Sequence, residues 1–282
     1  MKLNYPVIDL HTHLRNNIPL HTKIANDCGI GAVVYMANTT PPLDNFQKIQ
    51  ETLQINSNCI ALPVSAITEN LDGKKLVDVE SIRDYVVGFS DDGKYLEDLG
   101  LLKQILKTGV LVMAHCSPIF EDGVKNPNLE AEYVNQYLRV LDEVGGRLHI
   151  QHISKKSTVS LMKKAKNMGL PVTCETCPHY FTFTANELDT KTNPPLGSVE
   201  DVRAIRKGLA DGTIDVISSD YAPAPRITGI AGFRSFNPLS YGLVLSGVLT
   251  EQQLREKIST NPLKILKENA GLFLRPIIDK IK

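Results

Sequence analysis

Two histidines, His11 and His13, stand two residues apart in the stretch Asp9-Leu10-His11-Thr12-His13-Leu14-Arg15. Side chains alternate faces along a strand, so an extended segment presents both imidazoles on one side, half of a metal site. Further residues of the same chemistry recur along the chain: Asp91 and Asp92, His115, His152 and Asp220. Neutral imidazoles and carboxylates together suit a borderline divalent metal such as Zn²⁺. Four histidines and two acids are too many for one open tetrahedral site. They suit two metals about 3.5–4 Å apart, bridged by a carboxylate and a hydroxide. A metal lowers the pKa of its bound water to about 7, which makes that hydroxide the expected nucleophile. Asp220 is then the expected proton shuttle, from the attacking water to a leaving nitrogen.

Other polar residues have two readings. Arg15, two residues past His13, offers a guanidinium fork to a carboxylate on the same face. Asn38 and Asn193 either hold an amide or ureide group of a small anionic substrate or simply make turns. Asp91-Asp92-Gly93 reads equally as a turn. His149 lies at odd spacing from His152 and is expected to face away, as a structural or supporting residue. His179 follows Pro178 and is a candidate for the pocket rim, and His21 is expected on a helix surface. Cys174 and Cys177 form a C-x-x-C inside a strand pattern, not at a strand-to-helix turn, and are read as packing residues.

The elements that must carry these residues alternate from end to end. Apolar strand patterns cover 7–14, 32–37, 59–67, 86–90, 110–114, 147–153, 172–177 and 215–219. Helical patterns cover 20–28, 45–55, 72–85, 96–108, 128–144, 157–168 and 199–210, with three more at 239–249, 250–259 and 262–268. Ser157 is the expected N-cap of the 157–168 helix, and Gly169 its stop. Strands that alternate with helices make a parallel sheet. Eight such units in 282 residues, without a composition break, predict an α/β fold of the (β/α)₈ TIM-barrel type as one domain, 1–282. An open doubly wound sheet is the alternative, but the polar residues end many strands rather than cluster at one switch point. In a barrel all of those strand ends ring one pocket.

Composition removes other classes. Lys plus Arg and Asp plus Glu are 31 each, so no overall field draws the chain to nucleic acid or an anionic membrane. No apolar run approaches the ~20 residues of a membrane-spanning helix. The five cysteines lack disulfide-framework spacing, and no signal peptide is evident at the start, so a reduced, cytoplasmic setting is expected.

Taken together, these motifs resemble the amidohydrolase superfamily and, within it, the dihydroorotases. His11-Thr12-His13-Leu14-Arg15 is similar to that family's metal and substrate strand, and Met36-Ala37-Asn38-Thr39 to its asparagine motif. Gly88-Phe89-Ser90-Asp91-Asp92-Gly93 resembles the form in which an aspartate stands where relatives carry a carboxylated lysine, and the resemblance gives the bridging role to Asp92. Ala114-His115-Cys116, His152-Ile153-Ser154, Asn193-Pro194-Pro195-Leu196 and Ser219-Asp220 resemble the remaining metal, substrate and catalytic motifs. The resemblance implies a zinc-dependent barrel that interconverts dihydroorotate and N-carbamoyl-L-aspartate in pyrimidine synthesis. Its metal ligands would be His11, His13, Asp92, His115, His152 and Asp220, and its substrate residues Arg15, Asn38 and Asn193. Three departures stand out. Tyr221-Ala222-Pro223-Ala224 replaces His-Ala-Pro-His, whose second histidine helps hold substrate in the family; Cys116-Ser117-Pro118 replaces Cys-Glu-Asp; and the small β-sandwich that relatives build from both termini is expected to be absent. These departures keep two alternatives open: a hydrolase of another cyclic ureide, of the hydantoin or allantoin type, and an inactive partner of a carbamoyltransferase. The expected partner is a small anionic cyclic amide or ureide, with association with a second copy or a carbamoyltransferase left open. The stretch 229–232, bounded by glycines, is expected to form a mobile loop over the pocket.

Overall fold

The computed structural model describes residues 3–117, 129–188, 192–223 and 232–281. Ala224, Pro118 and residues 229–231 of the glycine stretch lie outside them. Seven strands run parallel: β1 (Ile8–Thr12), β2 (Ala32–Tyr35), β3 (Ile60–Pro63), β4 (Leu111–Ala114), β5 (Arg147–Ile150), β6 (Val172–Thr176) and β7 (Val216–Ile217). They pair in the order β1-β2-β3 and β4-β5-β6-β7. The 86–90 segment joins the two sheets without becoming a regular strand. Phe89 bridges Ser65 on one side and Val112 on the other. Gly88 makes this approach possible, because a Cβ there would stand 3.0 Å from the Leu111 carbonyl oxygen. The circle closes where Thr12 pairs with Tyr221 and the His13 amide donates to the Tyr221 carbonyl at 2.7 Å. The result is the eight-membered parallel barrel expected from the alternating pattern. Every named strand among the described residues belongs to it.

Two apolar layers hold the barrel. Ile8, Leu10, Val34, Met36, Leu62 and Met113 fill its interior, and Ile265, Leu266 and Leu274 of the C-terminal segment pack against this cluster. The second layer lies between strands and helices. Cys174 and Cys177 are buried in it, and burial pushes the Cys174 thiol up to about 12, as packing residues require. Three helical expectations change, and the 239–249 helix runs Phe233–Leu245. The 72–85 region forms a short helix, Val79–Ile82, followed by a 3₁₀ turn, Arg83–Tyr85. Gly73, at φ 74°, takes a left-handed conformation that breaks the earlier turn, and the Asp78 side chain accepts from Ser81 N to start the helix later. The 157–168 helix runs Lys156–Asn167, one residue early. Ser157 is not its cap; Asp201 of the helix Val199–Ala210 accepts from Lys156 N at 2.8 Å instead.

Candidate metal centre

The site is built at the C-terminal ends of the strands by local breaks in regular geometry. β1 pairs Ile8 with Ala32 and Asp9 with Val33, then Thr12 with Tyr35, so β1 carries one extra residue. This bulge lets Ile8 and Leu10 fill the apolar interior while His11 and His13 also turn inward above them. Asp9 stitches the bulge: its Oδ1 accepts from His11 N at 3.3 Å and from Ser219 N of the β7 end at 2.9 Å. His152 has φ 33° and Asp220 φ 51°, left-handed conformations that non-glycine residues adopt at a cost. The turn at His152 brings its ring within 4.5 Å of His115 and 5.2 Å of His11, centroid to centroid.

Asp92 lies at the centre. Its Oδ1 is 3.4 Å from His11 Nε2, 3.2 Å from His115 Nδ1 and 4.0 Å from His152 Nε2; its Oδ2 is 3.3 Å from His13 Nε2. Asp220 Oδ1 is 3.1 Å from His13 Nε2 and 3.6 Å from His11 Nε2. His11, His13 and Asp220 can close on one ion, and His11, Asp92 and His152 form a second group of metal-holding geometry. The buried His11 Nε2 and Asp92 Oδ1 have no hydrogen-bond partner among the described residues, although such atoms are normally paired. Two orphaned donor atoms 3.4 Å apart, among imidazoles and carboxylates, fit a divalent metal.

The charges agree with that fit. Burial alone would raise the Asp92 carboxyl, but the imidazoles of His13 and His11 override it and hold the group well below the carboxylate range. Burial opposes ionisation of Asp220 too, yet His11 and His13 bring it to about 2. Burial, with His115 and His11 beside it, pushes His152 down to about 3, leaving a neutral imidazole with a free lone pair. Burial lowers His11, but Asp92, Asp220 and Glu175 outweigh it and drive the ring well above the usual imidazole range.

Asp91, the other acid of the pair, points elsewhere. It accepts from Ile67 N at 2.8 Å, Thr68 N at 3.0 Å and Thr68 Oγ1 at 2.5 Å, fixing the loop after β3. The expected substrate amides are both engaged with histidines. Asn38 Oδ1 lies 2.9 Å from His13 Nδ1, and its Nδ2 donates to Asp92 Oδ2 at 3.3 Å. Asn193 Nδ2 lies 3.1 Å from His115 Nε2. Arg15 stands at the exposed rim and donates to the Asn38 carbonyl at 2.9 Å.

Three histidine expectations change. His149 does not face away: the left-handed turn at His152 breaks the parity, so His149 also enters the interior, 3.2 Å from Glu175 Oε2. His21 is buried, not on the surface, because the Tyr221 phenol lies 2.8 Å from its Nδ1. His179 is fully buried rather than at the rim, against the Tyr180 ring, and burial pushes it down to about 4. Glu175 is the residue that sequence reasoning missed. Fully buried on β6, it places Oε1 2.7 Å from His11 Nδ1, and its Oε2 accepts from Ser218 Oγ at 2.5 Å. A carboxylate on Nδ1 fixes the tautomer that leaves Nε2 free for a metal. The signal was an acid inside an otherwise uncharged strand, Val172-Thr173-Cys174-Glu175-Thr176.

The chain is 32% identical to a dihydroorotase of Trichlorobacter lovleyi over 94% of this chain and 73% of that protein. It is 33% identical to a dihydroorotase of Syntrophus aciditrophicus over 97% of this chain and 75% of that protein. The chain belongs to the dihydroorotase family. It is accordingly a dihydroorotase-like cyclic amidohydrolase. No family model matches the chain. Among solved structures, the L-hydantoinase of Arthrobacter aurescens superposes with a TM-score of 0.80 at 20% identity, covering 93% of this chain and 71% of that one. The dihydroorotase of Saccharomyces cerevisiae, in complex with 5-fluoroorotic acid, gives 0.77 at 15% identity, covering 93% and 84%. At these identities the two structures establish the barrel for this dihydroorotase-family chain, not its substrate. No helix among the described residues is long and apolar enough to cross a membrane.

Proposed function

We propose that this barrel hydrolyses dihydroorotate reversibly to N-carbamoyl-L-aspartate. The observation that carries the reading is the convergence of four imidazoles on the single carboxylate of Asp92, with Asp220 against two of them, in a chain of the dihydroorotase family. His11, His13, Asp92, His115, His152 and Asp220 would hold the metal, with Asp92 between two half-sites in the place where relatives carry a carboxylated lysine. Bound there, a divalent ion supplies Lewis acidity toward the ring carbonyl and activates water near neutral pH.

The chain's own residues do the rest. Asp220 is the most open of the six, with 17% of its side chain exposed, so it is the group an incoming substrate meets. Held ionised at about 2, it takes the proton of the attacking water and passes it to the ring nitrogen as the amide bond breaks. Arg15 at the rim forks the substrate carboxylate, and Asn38 and Asn193 present amides to the ring. Tyr221, in place of the motif's first histidine, is engaged by its own neighbours: its hydroxyl meets His21 and its ring stacks on Phe233 at 3.9 Å. With Ala224 in place of the motif's second histidine, which helps hold substrate in the family, the substrate carboxylate depends chiefly on Arg15.

The finer parts of the proposal are zinc as the metal, two ions per chain, one barrel domain carrying the activity and a cytoplasmic setting. Association with a second copy or a carbamoyltransferase belongs with them. The five cysteines, all free, are consistent with a reducing compartment. The test is dihydroorotate hydrolysis by metal-analysed protein, beside Asp220→Ala and with hydantoin as second substrate. Turnover that falls by about 10²–10⁴ in the variant supports the reading. Hydantoin turnover without dihydroorotate turnover replaces it with another ureide.

A further inference from the structure

The loop 193–197 has an unusual way of being held. Pro194 and Pro195 have no N–H, so the loop has few donors with which to fix itself. Its carbonyls are instead taken one after another by neighbours. Pro194 O accepts from the Tyr180 hydroxyl at 2.7 Å. Pro195 O and Leu196 O both accept from Lys155 Nζ, at 3.1 and 3.2 Å. Gly197 O accepts from Ala185 N at 2.9 Å.

Lys155 is the distinctive member. It is buried, with 7% of its surface exposed, and burial pulls its ammonium below the ordinary lysine range against the partial help of Glu130 and Asp201. Burying a charge on two neutral carbonyls is costly, so an ordinary solvent-facing lysine would be the default here. The main chain of the same residue is fixed too. Glu130, itself buried, accepts from Lys155 N at 3.2 Å and from Ser154 N and Oγ at 3.0 and 2.5 Å. Lys155 thus spans from the strand end that carries His152 to the loop that carries Asn193. At the far end of that loop, Asn193 Oδ1 accepts from Ser117 Oγ at 3.1 Å, and Nδ2 reaches Ser117 O at 3.2 Å and His115 Nε2 at 3.1 Å.

We propose that Lys155 is a positioning residue for substrate binding: its ammonium anchors the proline loop so that Asn193 is held at the pocket beside His115. The inference rests on the reading of Asn193 as a substrate-facing residue. It assigns Lys155 no contact with substrate or metal, and its effect runs wholly through the loop.

The test is a double-mutant cycle in dihydroorotate hydrolysis, using metal-loaded full-length protein. Lys155→Met keeps the length of the stem and removes the ammonium. It is expected to raise KM roughly tenfold with metal content unchanged and kcat little altered. Lys155→Arg, which can still donate to both carbonyls, is expected to restore most of the loss. In an Asn193→Ala background, where KM is already raised, Lys155→Met is expected to change KM by no more than about twofold, because the two act as one unit. Should Lys155→Met fail to fold, Tyr180→Phe, which removes the hydroxyl that donates to Pro194 O and meets the Thr192 side chain of the same loop, takes its place in the same cycle. Wild-type KM in Lys155→Met beside a raised KM in Asn193→Ala overturns the anchor alone. So does an undiminished Lys155 effect in the Asn193→Ala background, which marks general destabilisation. Wild-type KM in Asn193→Ala overturns the reading of the loop and the anchor with it.

Discussion

Glu175→Gln changes one oxygen to an amide nitrogen and leaves the shape of the side chain intact. In the native protein the carboxylate meets His11 Nδ1 at 2.7 Å, Ser218 Oγ at 2.5 Å and His149 Nε2 at 3.2 Å. Burial would raise its pKa, but His11 and His149 hold it well below the carboxylate range, so it is ionised throughout the working pH. The amide can still accept from His11 through Oε1. What it loses is the charge on that bond, and charge-assisted bonds are worth about 1.5–3 kcal/mol against about 0.5–1.5 for neutral ones. The difference, about 1–2 kcal/mol, weakens the preference of His11 for the tautomer with Nε2 bare. Loss of a comparable supporting partner costs roughly 10–100-fold in metal affinity, which is about 1.4–2.7 kcal/mol and matches that difference. The assay is a zinc titration of chelator-stripped protein against a competing chelator, for wild type and variant, with thermal unfolding of the stripped proteins alongside. A metal Kd raised 10–100-fold is expected. Equal metal affinity, with only the melting temperature changed, refutes the argument and leaves Glu175 as a stabilising core polar group.

Two further outcomes follow from buried acids near the centre. Asp9 has Oδ2 buried without a partner, and burial lifts its carboxyl to about 7 from an ordinary 3.8. A carboxyl raised on folding gives stability that is complete below its unfolded pKa and lost as pH rises through the folded one. The loss between about pH 4 and 7 is at most roughly 4 kcal/mol. Urea unfolding of stripped protein at pH 5.5 and 8 should show this decline, and Asp9→Asn, which keeps the acceptor for Ser219 N and His11 N, should flatten it; equal slopes in the two proteins reject the assignment. The neighbouring acids should separate by function: Asp92→Asn is expected to lose bound metal, measured by elemental analysis. Asp91→Asn is expected to keep metal and lose about 2–3 kcal/mol of stability, from the charged bonds it makes to Ile67 and Thr68. Metal loss in Asp91→Asn would reverse the two roles.

What could be read from the residues divides along a physical line. In a parallel barrel every strand enters from one end, so a residue's place along its strand decides which end of the barrel it reaches. That placement needs only the alternation of apolar runs and helices. It brought His11, His13, Asp92, His115, His152 and Asp220 to one rim, although they span more than 200 positions of sequence. Which way each side chain turns at the rim is another matter, because it depends on departures from regular backbone. Simple alternation would set His11 on the face opposite Leu10, outside the barrel interior; the β1 bulge brings both inside. The same rule turned His149 away from His152, and the left-handed residue at 152 turns both inward, His152 toward Asp92 and His149 toward Glu175. Non-glycine residues take such conformations at a cost, so no propensity scale announces them. Glu175 was hidden for a related reason: a charge inside an apolar strand reads as an anomaly until its partner is known, and that partner, His11, lies 164 residues away. Tyr221 shows the converse. It stands where the family motif has its first histidine, but its hydroxyl meets His21 and its ring stacks on Phe233, so its partners lie outside the metal group. A motif therefore gives the place of a side chain's Cα at the rim, and the partners within reach decide whether that side chain serves the site.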